Sequence, residues 1–307
     1  MNVPLEHCPC PICGEDQPKE WKSLKVLRRK SMLKRVGCED DTFRFVMCSA
    51  CKHHYMNPMP TEEFLSTYYG RDYFSEDEHA NHNRNLALTA MDRFYFSTCR
   101  HLPKVKEPLS LLEIGPGTGS YMAWAKERGY HVSGYDLAAV DMHPSIEPKD
   151  VQIGSLEDCS FPPATFDIIV SHWVFEHMRS TKPVMEKIKL WLKPGGRVII
   201  SVPNSQCFDA KLFGDDWHHA VVPDHISQFS MPSLEKMFLL SGFEILSRQH
   251  DLLSFDFSMS LGGWISQKTG IKNPLQNLPS RLLSLPFGPL KSLLGQSGNI
   301  TLTAKKV

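Results

Sequence analysis

The chain has 307 residues and carries 34 Lys and Arg against 34 Asp and Glu, so its formal net charge is zero. This length allows one catalytic domain and a small accessory module, and the neutral balance argues against binding nucleic acid through bulk charge. No apolar run is long enough to span a bilayer, and the first residues lack a signal-peptide pattern. Nine cysteines without such a signal indicate a reducing compartment, so we expect a cytoplasmic protein.

The first predicted unit is a metal-binding module in residues 1–60. Two C-x-x-C pairs, Cys10 with Cys13 and Cys48 with Cys51, can each form a turn that presents two thiolates to one ion. Four thiolates complete the tetrahedral coordination of Zn²⁺ and leave no open position for a reactant. We therefore expect a structural zinc ion in a zinc-ribbon-like module with a core of its own.

The insert between the two pairs is longer than the common zinc-ribbon spacing, which predicts extended hairpin arms. Cys38 lies in this insert and Cys8 precedes the first pair, so either could replace a ligand. A solvated hairpin face is one interpretation of the basic residues in the insert. The other is contact with a polyanion, either RNA or the diphosphate of a nucleotide-linked substrate. These residues are Lys19, Lys22, Lys25, Arg28, Arg29, Lys30, Lys34 and Arg35.

A glycine-rich loop between two short strands is the most informative motif. The first strand ends at Glu113, the loop contains three glycines, and the second strand ends at Asp136. Glycines let the backbone turn sharply and let a ligand approach it closely. An acid at the tip of the second strand can bind the hydroxyls of a ribose, so a nucleoside-like cofactor fits between the strand ends. The glycines are Gly115, Gly117 and Gly119.

A dinucleotide and S-adenosylmethionine both match this description. The dinucleotide fingerprint is G-x-G-x-x-G, whereas this loop reads G-P-G-T-G. Glu113, two residues before Gly115, would repel a phosphate but could organise the loop around the cationic methionyl end of S-adenosylmethionine. The sequence therefore favours S-adenosylmethionine, and the alternative is an ordinary strand–turn–helix of another α/β fold.

Seven predicted strands alternate with helical patterns, which indicates an α/β fold with a mostly parallel sheet and helices on both faces. One helix is predicted between Lys182 and Lys193, with an apolar face formed by Val184, Ile188, Trp191 and Leu192. The predicted strands are Ser110–Ile114, His131–Asp136, Val151–Gly154, Phe166–Ser171, Arg197–Val202, Phe243–Gln249 and Ile300–Lys305.

Two loops carry candidates for acid–base chemistry. Glu176 and His177 follow the fourth strand, at the sheet edge where α/β folds bind ligands. His225 lies in a histidine-rich loop after the fifth strand, and an imidazole can take a proton from a hydroxyl or an acidic carbon during methyl transfer. His225 is the first choice of base and His177 the second. The alternatives are a structural role for either histidine, or His225 as the cap of a helix that begins near Pro232.

The order of these motifs resembles the class I S-adenosylmethionine-dependent methyltransferases from about Ser110 to the C-terminus. The glycine loop, Asp136, FDIIVSHWVFEHM at 166–178 and LKPGGRVIISVPN at 192–204 carry this resemblance. With the cysteine pairs, the chain is similar to a subgroup that has an N-terminal zinc-binding motif and methylates sugars, often nucleotide-linked, and other small metabolites. The resemblance implies a Rossmann-like seven-stranded sheet whose last strand is antiparallel.

The resemblance also implies which residues contact the cofactor. In such enzymes a tyrosine-rich segment lies over the cofactor, and it corresponds here to a helical linker or lid at 61–108 with Tyr69 and Tyr73. Adenine binds after the third strand, where the family often has an Asp in place of Ser155, although a hydroxyl can still accept from the adenine amino group. The remaining implied contacts are Leu137, Leu156 and His172.

Two later segments are expected near the substrate. A P-x-H-x-x-x-F-S stretch of the subgroup matches residues 223–230, which include His225. Residues 252–297 form a cap-like insertion within the catalytic domain at 109–307. A rough helical stripe in this insertion is typical of core or dimer contacts, and a membrane-surface role is the alternative. The stripe comprises Leu283, Phe287, Leu290 and Leu294.

These features predict methyl transfer to a hydroxyl or carbon of a small, sugar-like or nucleotide-linked biosynthetic metabolite. The protein would align donor and acceptor for in-line displacement and remove a proton. A small molecule is the expected partner, with no stable nucleic-acid partner, no transmembrane segment and a homodimer through the C-terminal insertion. Two alternatives remain: an RNA methyltransferase that grips RNA with its zinc module, and a non-catalytic scaffold.

Overall fold

A computed structural model describes residues 2–27, 33–34, 36–38, 42–69, 86–100, 102–137, 142–155, 158–253, 255–271 and 284–307, with only the backbone at 86–92 and 285. The strands are β1 Leu5–Glu6, β2 Pro18–Lys25, β3 Thr42–Cys48, β4 His54–Met56, β5 Met59–Pro60, β6 Ser110–Ile114, β7 His131–Asp136, β8 Val151–Ile153, β9 Phe166–His172, β10 Leu192–Pro203, β11 Ser227–Gln228, β12 Phe243–His250 and β13 Asn299–Lys306. The α-helices are α1 Glu62–Tyr68, α2 Leu86–Cys99, α3 Ser120–Lys126, α4 Lys182–Trp191, α5 Phe208–Phe213, α6 Met231–Leu240, α7 Asp256–Thr269 and α8 Gly288–Leu293.

A seven-stranded mixed sheet forms the centre of the catalytic part, in the order β12-β13-β10-β9-β6-β7-β8. The ladders from β10 through β9, β6 and β7 to β8 are parallel, and β13 runs antiparallel to both of its neighbours. Each predicted strand is present to within a few residues at its ends. The Rossmann-like sheet with an antiparallel last strand is therefore confirmed.

The apolar positions that predicted these strands and helices are buried in the structure. In β6 the last four of five residues are buried, so the strand lies in the interior between two neighbours. In α4 the predicted face is buried through Val184, Ile188 and Trp191. Leu192 is also buried, but it begins β10 instead of continuing the helix.

A second sheet, in the order β11-β4-β3-β2, contains the N-terminal module. The antiparallel pairing of β2 with β3, from Pro18 opposite Cys48 to Lys25 opposite Thr42, confirms the predicted hairpin arms. Its edge strand β11 comes from the catalytic part of the chain and pairs with β4, Ser227 opposite Tyr55. The module sheet is thus completed by a strand more than a hundred residues away in sequence.

The module and the catalytic part share one hydrophobic core, so the expectation of separate cores is wrong. Phe45 and Tyr55 of the module belong to the same buried cluster as Ile226 and Phe229 of the catalytic part. His53 is fully buried and lies 3.2 Å from Ser227, measured from Nε2 to Oγ. Folding of the module therefore positions the chain next to His225.

The C-terminal insertion contains α7 and α8, and its predicted stripe does not face the interior. Phe287, Leu290 and Leu294 are each more than half exposed, while Leu283 lies outside the described residues. These side chains are not core residues of the chain. Within the described part of the chain, no helix has both the length and the apolar character that a membrane crossing needs.

Candidate active site

The glycine loop is tied directly to the tip of β7. The backbone N–H of Gly117 donates to Oδ2 of Asp136 across 2.9 Å, so the loop and the acid predicted to contact the same cofactor lie together. Asp136 is buried at the carboxyl end of its strand. A ligand bound here would meet loop amides on one side and a carboxylate on the other.

Two glycines of the loop have different surroundings. Gly115 has a φ of +73°, and a Cβ built on it would lie 2.3 Å from Cγ2 of Val174. Gly117 has a φ of +52° and no atom within 4 Å of such a Cβ. The chain thus packs against the loop at Gly115 and leaves room for a ligand beside Gly117.

Glu113 supplies a buried acid beneath this loop. Its Oε1 lies 3.3 Å from Nδ1 of His172, and its Oε2 is buried without a hydrogen-bond partner among the described residues. Burial, followed by the charge of Asp136, holds the pKa of Glu113 well above its usual range. Burial also holds the pKa of His172 well below its usual range, so this imidazole is neutral. An orphaned buried carboxylate oxygen suits a cationic ligand better than a phosphate.

The expected adenine side lies at the end of β8. Oγ of Ser155 donates to Oδ2 of Asp158 across 3.0 Å, and Leu137, at the end of β7, is 49 % exposed. Asp158, which no sequence motif indicated, places a carboxylate beside this serine. Of the other expected contacts, Tyr73 and Leu156 lie outside the described residues.

The three predicted catalytic residues meet in space. Glu176 and His177 lie in the turn Phe175–His177 after β9, and His225 lies in the loop before β11. One potential ligand atom from each of the three side chains lies within 4.8 Å of the others. Val174 joins this turn to the glycine loop at Gly115, so the cluster adjoins that loop.

Backbone carbonyls orient both imidazoles of the cluster. Nδ1 of His225 lies 2.8 Å from the carbonyl oxygen of His219, and Nδ1 of His177 lies 3.0 Å from that of Asp224. A carbonyl can only accept, so Nδ1 of His225 carries the proton. Nδ1 of His177 lies within reach of both the Asp224 carbonyl and, at 3.1 Å, the Tyr69 hydroxyl. Tyr69 donates to the same Asp224 carbonyl, at 3.2 Å. Tyr69 thus contacts His177 and the loop that carries His225.

Glu176 is 1 % exposed, and both of its carboxylate oxygens are buried without a hydrogen-bond partner among the described residues. Burial raises the pKa of Glu176 to about 8. An unpaired buried carboxylate costs free energy. Its position beside two oriented imidazoles indicates a site that a ligand completes.

The alternative in which His225 caps the following helix is wrong. Helix α6 begins after Ser230, whose backbone N–H donates to Oγ of Ser233 across 2.9 Å. Serine at this position is a preferred N-cap residue, and it satisfies the helix start locally. The contacts of His225 run instead to His219 and to His177, whose ring centroid is 4.8 Å away.

The four cysteines of the two C-x-x-C pairs form a second cluster. Sγ of Cys10 lies 3.5 Å from Sγ of Cys51, and Cys13 and Cys48 are separated by the same distance. Thiolates at about 2.3 Å from one tetrahedral ion lie a little under 4 Å apart, so the arrangement fits Zn²⁺. The two other candidates, Cys8 and Cys38, are not members of this cluster.

A buried ion pair behind the site was not predicted. Nη1 of Arg100 lies 2.9 Å from both carboxylate oxygens of Asp251, and both side chains are almost fully buried. The guanidinium lies 5.0 Å from the ring centroids of Tyr95 and Trp173, next to His172. Its charge also lowers the pKa of His172, after burial. No local pattern links residues 151 positions apart in sequence.

Comparison with known proteins identifies the family to which this domain is similar. Residues 88–248 match a family model described as a methyltransferase domain. The ubiquinone biosynthesis O-methyltransferase of Aeromonas salmonicida is 28 % identical over 123 residues, which are 37 % of this chain and 52 % of that protein. The malonyl-[acyl-carrier protein] O-methyltransferase of Paenibacillus sp. is 26 % identical over 197 residues, 58 % of this chain and 69 % of that protein.

The solved complex between the Haloferax volcanii Trm112 methyltransferase activator and its methyltransferase partner contains a chain of similar fold. The TM-score is 0.50 at 15 % identity, over 76 % of this chain and 96 % of that chain. Several curated relatives are matched over only about half of their own length or less.

Proposed function

We infer the function from the family, because the chain belongs to the methyltransferase-domain family, whose model matches more than half of it. We propose that it transfers the methyl group of S-adenosylmethionine to a hydroxyl or carbon of a small, sugar-like or nucleotide-linked biosynthetic metabolite. The observation that carries this proposal is the adjacency of two sites. The glycine loop, where Gly117 contacts Asp136, adjoins through Val174 the turn that carries Glu176 and His177.

On the cofactor side, each residue has a proposed task. Asp136 binds the ribose hydroxyls, and the amides of the glycine loop bind the methionyl end. Glu113 would be stabilised in its ionised form by the nearby cationic end of the cofactor. Ser155 and Asp158 receive the adenine amino group, and Leu137 covers its edge. These assignments fit the open space beside Gly117.

On the acceptor side, we place removal of the proton at the Glu176–His177–His225 cluster. The sulfonium is already activated, so the protein needs only to align the methyl carbon with the acceptor atom and discharge the proton. His225 is the first choice for that role and His177 the second. Tyr69 holds the carbonyl of Asp224 that orients His177.

We propose a structural role for the cysteine cluster. Four thiolates fill the coordination of Zn²⁺, so the ion would hold the module in shape and take no part in the chemistry. The module would then act on the reaction through β4, which pairs with β11 two residues after His225.

Label transfer from methyl-labelled S-adenosylmethionine tests this function. The acceptors to be tested are nucleotide-linked sugars, catechols and hydroxy acids. Bulk RNA is tested beside them as the acceptor that the alternative function predicts. We expect label in the small molecules, and we expect His225→Ala to lower kcat by about a hundredfold while the cofactor still binds. The control is His131→Ala, an exposed histidine at the opposite end of β7. Label in RNA alone would replace this proposal with the RNA methyltransferase.

A further inference from the structure

We propose that Glu176, His177 and His225 bind one divalent first-row transition-metal ion. The role of that ion in catalysis rests on the proposed methyl transfer, whereas its binding does not. The site is separate from the cysteine cluster, because its donors are two imidazoles and a carboxylate from different loops. It would add a second, open metal site on the acceptor side.

The donor set and spacing fit such an ion. Imidazole nitrogens suit the later first-row metals, and a carboxylate supplies the negative charge. Ligand atoms about 2.1 Å from one ion lie roughly 3–4 Å apart. The donor atoms here lie within 4.8 Å of one another, so coordination would bring them about 1 Å closer together.

The hydrogen bonds around the two imidazoles have the arrangement of metal ligands. A ligating histidine normally donates its other ring N–H to a carbonyl or carboxylate, which fixes its tautomer and orientation. Nδ1 of His225 has this arrangement toward the carbonyl of His219, so that ring would bind a metal through Nε2. Nδ1 of His177 lies within reach of the Asp224 carbonyl and of the Tyr69 hydroxyl, which hold this ring in position.

The carboxylate of Glu176 is an independent observation that points to a cation. The side chain is 1 % exposed, and among the described residues neither of its oxygens has a hydrogen-bond partner. Burying an acid without partners is costly, and a bound cation offsets that cost. A base formed by the histidines alone would not explain why the acid is buried beside them.

The ion defines a class of acceptor. Three protein ligands leave further positions on a six-coordinate ion, which two neighbouring oxygens of a diol, catechol or hydroxy acid can occupy. A hydroxyl bound there loses its proton to water more readily, because the cation stabilises the oxyanion. A lone pair of this oxygen then attacks the methyl carbon, and the electrons of the breaking C–S bond return to sulfur. The products are the methyl ether and S-adenosylhomocysteine. With the ion bound, His225 acts as a metal ligand in place of its role as the base, so His225→Ala lowers kcat in either case.

Cobalt uptake tests the inference in protein whose cysteine cluster already holds zinc. Equilibrium dialysis against Co²⁺, followed by metal analysis, should find one Co²⁺ bound with zinc retained. Near-ultraviolet spectra should lack the thiolate charge-transfer bands that exchange into the cysteine cluster would produce. Glu176→Gln and His225→Ala should each weaken Co²⁺ binding by about tenfold or more. The exposed His131→Ala variant should bind it normally.

Titration of the same samples with S-adenosylmethionine separates the two proposals. If the wild type binds the cofactor but takes up no Co²⁺ beyond the cysteine site, the metal inference is overturned and the proposed function stands. Equal Co²⁺ affinity in wild type and both variants also overturns the inference. If Co²⁺ binds as expected but the cofactor does not, the metal site stands and the methyl-transfer proposal fails. Glu176→Gln is nearly isosteric, so it serves if His225→Ala does not fold.

Discussion

Gly117 lies where the glycine loop meets the tip of β7, and two of its properties have separate consequences. Its amide holds Asp136 in place, at 2.9 Å, and the space beside its Cα contains no protein atom within 4 Å of a Cβ position. Its φ of +52° also carries an intrinsic cost for any residue with a side chain. A matched glycine elsewhere in the chain separates the steric effect on a ligand from the backbone cost.

Gly117→Ala and Gly270→Ala form that pair. Both glycines have a positive φ and nothing within 4 Å of the added Cβ, so both variants should lose about 1 kcal/mol of stability. Only the Gly117 variant should weaken binding of S-adenosylmethionine, by about tenfold or more, because its methyl group enters the ligand space. Calorimetric titration and chemical denaturation would measure the two effects. Equal affinity in both variants would contradict a ligand beside Gly117.

Glu113 links cofactor binding to stability and pH. Its folded-state pKa lies above the unfolded value, so above about pH 4.3 the unfolded chain releases a proton that the folded chain still holds. Its contribution to the free energy of unfolding therefore falls as pH rises. Glu113→Gln should be increasingly stabilised relative to wild type between pH 5 and pH 8, by urea denaturation, while losing cofactor affinity. Glu186→Gln, on an exposed face of α4, is the control. Parallel pH curves for wild type and Glu113→Gln would contradict this account.

At the scale of elements, the seven strands of the central sheet were predictable, whereas the short strand β11 was not. β6, β9 and β10 are apolar runs bounded by turn residues, so their patterns are local. β11 has only two residues, and its partner β4 lies far away in sequence, so no local pattern announced the pairing. That unpredicted pairing is the link between the cysteine cluster and His225.

Removal of zinc tests this link between elements. With the ion gone, β3 and β4 should lose their anchor, and β11 and the loop before it should shift. We expect methyl transfer to fall by about tenfold to a hundredfold, because small misplacements of reacting groups are costly. Cofactor binding should persist, since the glycine loop lies on β6 and β7. Cys48→Ser should reproduce the effect, and Cys38→Ser, outside the cluster, should not.

Unchanged turnover in fully zinc-free protein would show that the module is dispensable for the reaction. Loss of cofactor binding together with turnover would instead show that the shared core transmits the damage through the whole catalytic part.

For the whole molecule, motifs predicted the seven-stranded sheet, the four clustered cysteines and the two candidate catalytic histidines, His177 and His225. The contact between these two histidines was not predicted. The shared core and the Arg100–Asp251 pair depend on contacts distant in sequence. Leu290 belongs to an apolar stripe but is exposed, because an apolar sequence pattern does not show whether a helix face is buried.

Calorimetric titration of the wild type and Asp136→Ala with S-adenosylmethionine tests the central claim, that this cofactor binds between β6 and β7. We expect micromolar binding to the wild type, a loss of about 1–3 kcal/mol in Asp136→Ala from the missing ribose hydrogen bonds, and no binding of NAD. Tight binding of NAD without binding of S-adenosylmethionine, or equal affinity of the two proteins for S-adenosylmethionine, would contradict the account.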